Sequence, residues 1–272
     1  MLWPDGAHSA ACLTFDLDGE EVWLAEVPDS AGRPGVRSLG AYGVGWGLRL
    51  VLERLRERGL RATFFVPGRL VENFPHKVAQ ILEDGHEVAH HGYTHRNPAK
   101  LDPEEEREEL ERGLEALRAV GVEAVGYRAP AWDVSARTYP LLAELGFTYA
   151  SNLMSSVTPF REPSSGVIEL PVHWVLDDAA HLWFSHVSFS RPMPTAAQVL
   201  EVWLAEAEGI HSLGGLAVHT CHPQVIGRPG RLAILDGLLD SVQRDGTWVA
   251  TAAEVAEWVA AHDDALPDLV DP

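Results

Sequence analysis

Five times in this chain a run of helical periodicity ends on a glycine and gives way within a few residues to a β-rich run. The glycines are Gly59, Gly85, Gly121, Gly146 and Gly246, and the runs they introduce are residues 62–66, 86–91, 124–127, 148–151 and 247–250. A glycine there caps the helix in the left-handed conformation and returns the chain into a strand. Parallel strands need such a crossover between them, so the alternation implies a parallel sheet covered by helices. Two more apolar runs, 10–13 and 217–220, read as strands. With about seven strands in a single domain spanning residues 1–272, a closed or nearly closed β/α barrel is favoured over an open doubly wound sheet, although periodicity alone does not choose between them.

The helices between these runs are uneven in clarity. The clearest spans about 103–119, with Glu104, Glu105 and Glu106 in its first turn, where the helix dipole favours acids, and Leu110, Leu114 and Leu117 on its buried face. Others are expected from Leu48 to Gly59 and over 195–209, 229–244 and 252–261, the last followed by an acidic tail. Prolines at 159, 163 and 171 interrupt the stretch 155–190, which suggests short hairpins or edge strands. The stretch 32–47 holds Gly32, Gly35, Gly40, Gly43, Gly45 and Gly47 without a phosphate-loop ending. It is expected to form a loop over the site or an oligomer contact.

Charge narrows the possible partners. With 40 acidic against 21 basic residues the formal charge is -19, which repels nucleic acid and anionic membrane alike. No apolar run approaches the roughly 20 residues of a membrane span, and residues 1–5 show no basic-then-apolar leader, so a cytoplasmic location is expected. The two cysteines, Cys12 and Cys221, sit in apolar runs and read as buried thiols.

The chemistry concentrates at strand ends. Asp16 and Asp18 follow the first strand two residues apart, so on extended backbone they share a face, where two carboxylates repel unless a cation or proton lies between them. Alone, such a pair is as readily an acidic turn ended by Gly19. His91 and His95 stand just past the run 86–90 at a spacing that lets two imidazoles converge on one ion. His90 should point to the opposite side, and His8, His173 and His219 read as structural. The run 126–130, with Arg128 and Pro130, follows another strand, and His222-Pro223 the one near Val218. In a β/α barrel all of these lie on the carboxyl-end rim, where such folds build their sites.

Residues 14–20, 91–95, Arg128-Ala129-Pro130 and Cys221-His222-Pro223 together resemble the ordered motifs of the polysaccharide deacetylases, carbohydrate esterase family 4. The forms Asp16-Leu17-Asp18-Gly19-Glu20, His90-His91-Gly92-Tyr93 and 222–229 resemble a branch that includes intracellular peptidoglycan-deacetylase-like proteins and relatives acting on allantoin or cyclic imides. The resemblance implies a distorted (β/α)7 barrel and a divalent ion, zinc by default, on Asp18, His91 and His95. By the family pattern Asp16 is the general base, Arg128 holds it, His222 is the general acid and the Ala131 N–H stabilises the oxyanion, with Trp132 at the substrate floor. The implied activity is metal-dependent hydrolysis of amide carbon–nitrogen bonds on an N-acetyl sugar or other small or oligosaccharide amide, in a homo-oligomer. The alternative is an allantoinase or cyclic-imide hydrolase of the same branch, with or without metal. Leu17 between the two acids and Ala131 in place of an aromatic depart from the family pattern. Asp177 and Asp178 read equally as a solvated loop pair or as partners of His222. A two-histidine, one-carboxylate iron oxygenase is disfavoured by the βα pattern, and a scaffold that kept only binding is disfavoured by intact Asp16, Arg128 and His222.

Overall fold

Strand β1, Ser9–Asp16, is the pivot of the sheet in the computed structural model, which describes residues 3–27, 29–184 and 193–262. The remaining strands are β2 (Thr63–Val66), β3 (Glu87–His90), β4 (Gly126–Tyr127), β5 (Tyr149–Ala150), β6 (Phe160–Arg161), β7 (Ile168–Glu169), β8 (Leu216–Cys221) and β9 (Thr247–Val249). β1 pairs with β8 along most of its length, with β2 over its second half and with β9 over its first. The order is β6-β7-β5-β4-β3-β2-β1-β8, parallel throughout except for the β6–β7 pair. Among the described residues no ladder joins β8 to β7. A single parallel bridge, Asp177 to Thr220, lies beside β8 instead, so the expected barrel is distorted and incompletely closed.

Twelve α-helices accompany these strands among the described residues: α1 (Glu21–Glu26), α2 (Pro34–Tyr42), α3 (Leu48–Arg58), α4 (Gly68–Asn73), α5 (Pro75–Glu83), α6 (Pro103–Ala119), α7 (Thr138–Glu144), α8 (Asp178–Leu182), α9 (Ala196–Ser212), α10 (Pro223–Ile226), α11 (Leu232–Val242) and α12 (Ala252–Ala261). The five expected cap glycines all have positive φ, between 63° and 86°. Reciprocal capping boxes start α6 (Asp102 with Glu105), α9 (Thr195 with Gln198) and α12 (Thr251 with Glu254), which fixes where each begins.

Side-chain alternation along β1 sorts the core. Ala11, Leu13, Phe15 and Leu17 point outward into a large cluster with Leu48, Val51 and Leu55 of α3 and Leu235, Leu238 and Leu239 of α11. Ala10 and Cys12 point inward with Phe65, Ala89, Tyr149 and Val218. Both cysteines are buried and free. The same period of two sends Asp16 and Asp18 inward at the end of the strand while Leu17 anchors outward, and it does the same on β3, where Val88 packs outward and Ala89 inward.

Three expectations need correction. The glycine-rich stretch is not a loop: it forms α2 and a π-helical turn, Gly43–Gly47, that runs directly into α3. The helix expected over 229–244 is split into a short 3-10 turn, Pro229–Arg231, and α11, because Pro229 and Gly230 oppose a continuous helix. The stretch 155–190 contains the antiparallel β6–β7 pair, as expected, but also the helical turns Trp174–Leu176 and α8. Part of that stretch and the acidic tail lie outside the described residues.

Candidate active site

Asp18, His91 and His95 converge at the carboxyl end of β1 and β3. Asp18 Oδ1 lies 3.4 Å from His91 Nε2 and 3.6 Å from His95 Nε2, and all three residues are buried. His91 Nδ1 is 2.8 Å from the Arg128 carbonyl oxygen, an acceptor, so Nδ1 carries the hydrogen and Nε2 is the end turned toward Asp18. Burial holds the His95 imidazole down to about 4, against the pull of Asp18, so it is neutral at pH 7 and can offer a lone pair. Burial opposes ionisation of Asp18, yet the surrounding imidazoles of His95, His91 and His222 bring it to about 2. Asp18 Oδ1 is buried and has no hydrogen-bond partner among the described residues. An orphaned carboxylate oxygen facing two imidazole nitrogens is the arrangement a divalent cation satisfies, so the residues fit a metal.

The second acid is held differently. Asp16 Oδ1 accepts a 2.8 Å hydrogen bond from Arg128 Nη1, which also donates to Thr14 Oγ1 at 2.8 Å. Arg128 Nη2 reaches Ser151 Oγ at 3.0 Å, and the guanidinium lies 4.1 Å from the Phe65 ring centre. Arg128 is fully buried, where an unpaired guanidinium would be costly; Asp16 neutralises it. Asp16 Oδ2 lies 4.0 Å from His91 Nε2 and is directed toward the Asp18 cluster.

His222, just past β8, completes the arrangement. Its backbone N–H donates to Asp178 Oδ2 at 2.9 Å and its Nδ1–H to Asp178 Oδ1 at 2.6 Å, while Nε2 stands 3.9 Å from Asp18 Oδ2. Burial alone would disfavour the imidazolium, but Asp178 raises the His222 pKa well above its ordinary value. Asp177, Asp178 and His222 also cluster closely enough to suggest a metal site. Both Asp178 oxygens are already engaged by His222, so this cluster reads as an acid orienting a histidine. The solvated-loop reading of the acid pair is thus corrected: both are buried, Asp177 capping α8 through the Ala179 N–H and Asp178 holding His222.

A cavity of about 690 Å³ opens over these groups. Ala131, Trp132, Trp174, Trp183 and Val22 form its apolar walls, and Glu26 at the end of α1 stands at its edge. Ala131 and Trp132 are successive non-glycine residues with positive φ, 58° and 54°, and His95 is another at 58°. Such conformations cost about 1–3 kcal/mol each and persist where the surroundings impose them. The Trp132 and Trp174 ring centres lie 4.4 Å apart, and Trp183 stands edge-on to His222 at 5.7 Å. His90 is turned away: its Nε2 meets the Leu110 carbonyl and its Nδ1 accepts from Gly92 N–H, which shapes the turn carrying His91. Glu26, Trp174, Trp183 and Gln224 were not singled out from the sequence as site residues. The last stands two positions beyond His222 inside the branch-like run 222–229, the local signals that could have drawn attention to it.

An acid–imidazole cluster fit for a metal, a second acid pinned by a buried arginine and an acid-bound histidine share one rim of a curled parallel sheet, an arrangement equipped for metal-assisted acid–base hydrolysis. The polysaccharide deacetylase family profile matches residues 47–150. A peptidoglycan deacetylase of Helicobacter pylori is 27% identical over 280 residues, covering 89% of this chain and 93% of that protein. The crystal structure of a Mycobacterium smegmatis protein that carries the polysaccharide deacetylase name is 40% identical and superposes with a TM-score of 0.93, covering 100% of this chain and 97% of that one. Puue allantoinase shares the fold, with a TM-score of 0.84 at 18% identity over 97% of this chain and 94% of its own. The chain belongs to the polysaccharide deacetylase family.

Proposed function

We propose that this protein is a metal-dependent deacetylase of N-acetylated sugars, working as one catalytic domain over residues 1–272. The observation that carries the reading is the buried, unpartnered Asp18 Oδ1 facing His91 Nε2 and His95 Nε2. Asp18, His91 and His95 would hold the ion, zinc by our reading because two imidazoles and one carboxylate suit it and leave a position open. When bound, such an ion polarises the amide carbonyl and acidifies water.

The chain's own residues supply the proton transfers. Asp16, fixed through Oδ1 by Arg128, takes the proton from the attacking water at its free oxygen. The Ala131 N–H, on a backbone turned by two positive-φ residues, is placed by this reading to donate to the carbonyl oxygen as charge develops on it. His222 has Nδ1 committed to Asp178, so Nε2 is the end that gives a proton to the departing nitrogen. The carbon–nitrogen bond breaks, the acyl group leaves as a carboxylate and the sugar as an amine. Trp132 and Trp174 offer apolar faces to a sugar ring.

The wall is acidic as well as aromatic. Asp16, Asp18, Glu26 and Asp177 line the cavity, and among the described residues no lysine or arginine does. Arg128 offsets Asp16 and the ion would offset Asp18, so Glu26 and Asp177 are the acids left to favour a neutral or cationic substrate over an anionic one. A ureide or cyclic-imide substrate is the competing reading, supported by likeness of fold to Puue allantoinase. Among the described residues no helix is long and apolar enough to cross a membrane; cytoplasmic residence and homo-oligomeric assembly complete the proposal, the latter testable by light scattering. An amine-release screen across N-acetyl sugars, ureides and cyclic imides separates the substrates. Turnover of N-acetyl oligosaccharides supports the deacetylase reading, and turnover confined to ureides or imides overturns it.

A further inference from the structure

We propose that Gln224 is a positioning residue for the Asp18 carboxylate, and that Gly43 holds Gln224 in place; the inference rests on the metal-hydrolase reading above. Gln224 is 5% exposed, and its Nε2 donates to Asp18 Oδ2 at 3.0 Å. A carboxylate only accepts, so the amino end of the amide must face it. The other end, Oε1, is buried without a partner among the described residues. A buried amide satisfied at one end only is unfavourable for packing alone, and what it achieves is on Asp18. With Oδ2 tied to Gln224, the carboxylate cannot rotate freely, and Oδ1 is left pointing between the two imidazole nitrogens.

The glycine-rich helix explains how Gln224 is kept there. A Cβ on Gly43 would come within 2.9 Å of both Cβ and Oε1 of Gln224 and 3.1 Å of its backbone nitrogen. On Gly47 it would come 2.1 Å from the Pro223 carbonyl oxygen, and on Gly40 it would come 2.2 Å from that of Gly19. Positions 40, 43 and 47 share one helix face, and Gly43 has ordinary helical dihedrals, φ -58° and ψ -47°. Glycine is therefore required here for space, not for conformation. The bare backbone lies against the turn after Asp18 and the turn after His222 together, and Tyr42 Oη donates to the Gly227 carbonyl at 2.8 Å beside them. Gln224 links the two turns at the point where their chemistry meets.

The test measures zinc affinity of the full chain by competition with a chromophoric chelator, together with the visible spectrum of the cobalt-loaded protein. Gln224→Met keeps the length and removes the donor; it should weaken zinc binding about 10- to 100-fold and alter the cobalt spectrum. Gly43→Ala, which touches no candidate ligand, should weaken it in the same direction by displacing Gln224, and it carries the test if Gln224→Met does not fold. Unchanged Tm values of the metal-free proteins would separate positioning from loss of structure. Affinities within twofold of wild type in both variants, with wild type binding one ion, would overturn the positioning role alone. Wild-type protein that binds no divalent ion would overturn the metal reading and this proposal with it.

Discussion

Asp178 accepts two hydrogen bonds from a single residue, His222, at 2.9 Å from its backbone nitrogen and 2.6 Å from its ring Nδ1. This double attachment fixes both the ring orientation and its tautomer, since the nitrogen facing Asp178 must carry hydrogen. Asp178→Asn should lower kcat by about 10²–10⁴ while leaving metal content unchanged. A kcat within threefold of wild type would show that the bond is structural.

Glu26 should act through charge. Its carboxylate stands at the edge of a cavity already lined by Asp16, Asp18 and Asp177. Oligosaccharides bearing a free amine next to the N-acetyl unit should therefore be preferred over those bearing a carboxylate, and Glu26→Gln should narrow that preference by roughly 3- to 10-fold at low salt. Competing-substrate kinetics at two ionic strengths check this. A preference that neither Glu26→Gln nor salt alters would remove the electrostatic argument.

His219 should make the fold acid-sensitive. It is buried beside Trp203, neither ring nitrogen has a hydrogen-bond partner among the described residues, and burial lowers its pKa from 6.5 to about 4. Between those values the unfolded chain takes up a proton that the folded one refuses. Stability is thus fully present above pH 6.5 and is lost as pH falls toward 4, by on the order of 3 kcal/mol. Urea unfolding of wild type and His219→Leu across this range should show the steeper loss in wild type; parallel curves would contradict it.

What could be read from the sequence was what local periodicity encodes. The cap glycines marked the helix-to-strand returns, and the period of two along β1 put Asp16 and Asp18 on one face despite Leu17 between them. His91, His95, Arg128 and His222 were legible because each follows a strand, and parallel strands end on one rim. Gln224 was not, because its partner Asp18 is 206 residues away and only the β1–β8 pairing brings them together. The glycine-rich stretch was misread for a related reason: glycine in a helix is disfavoured locally, and the neighbours that require it, Gly19, Pro223 and Gln224, are distant in the chain. Asp177 and Asp178 were indistinguishable as adjacent acids; the position of His222 separates them.

The central claim is that Asp18, His91 and His95 hold a divalent ion on which amide hydrolysis depends. The most direct measurement is amine release by the purified full chain after exhaustive chelation, then with zinc added back in steps, alongside metal analysis of wild type and His95→Ala. The account predicts loss of activity on chelation, recovery at one ion per chain, and a folded His95→Ala protein lacking both metal and turnover. Full turnover by wild-type protein in which no metal is detected would contradict it.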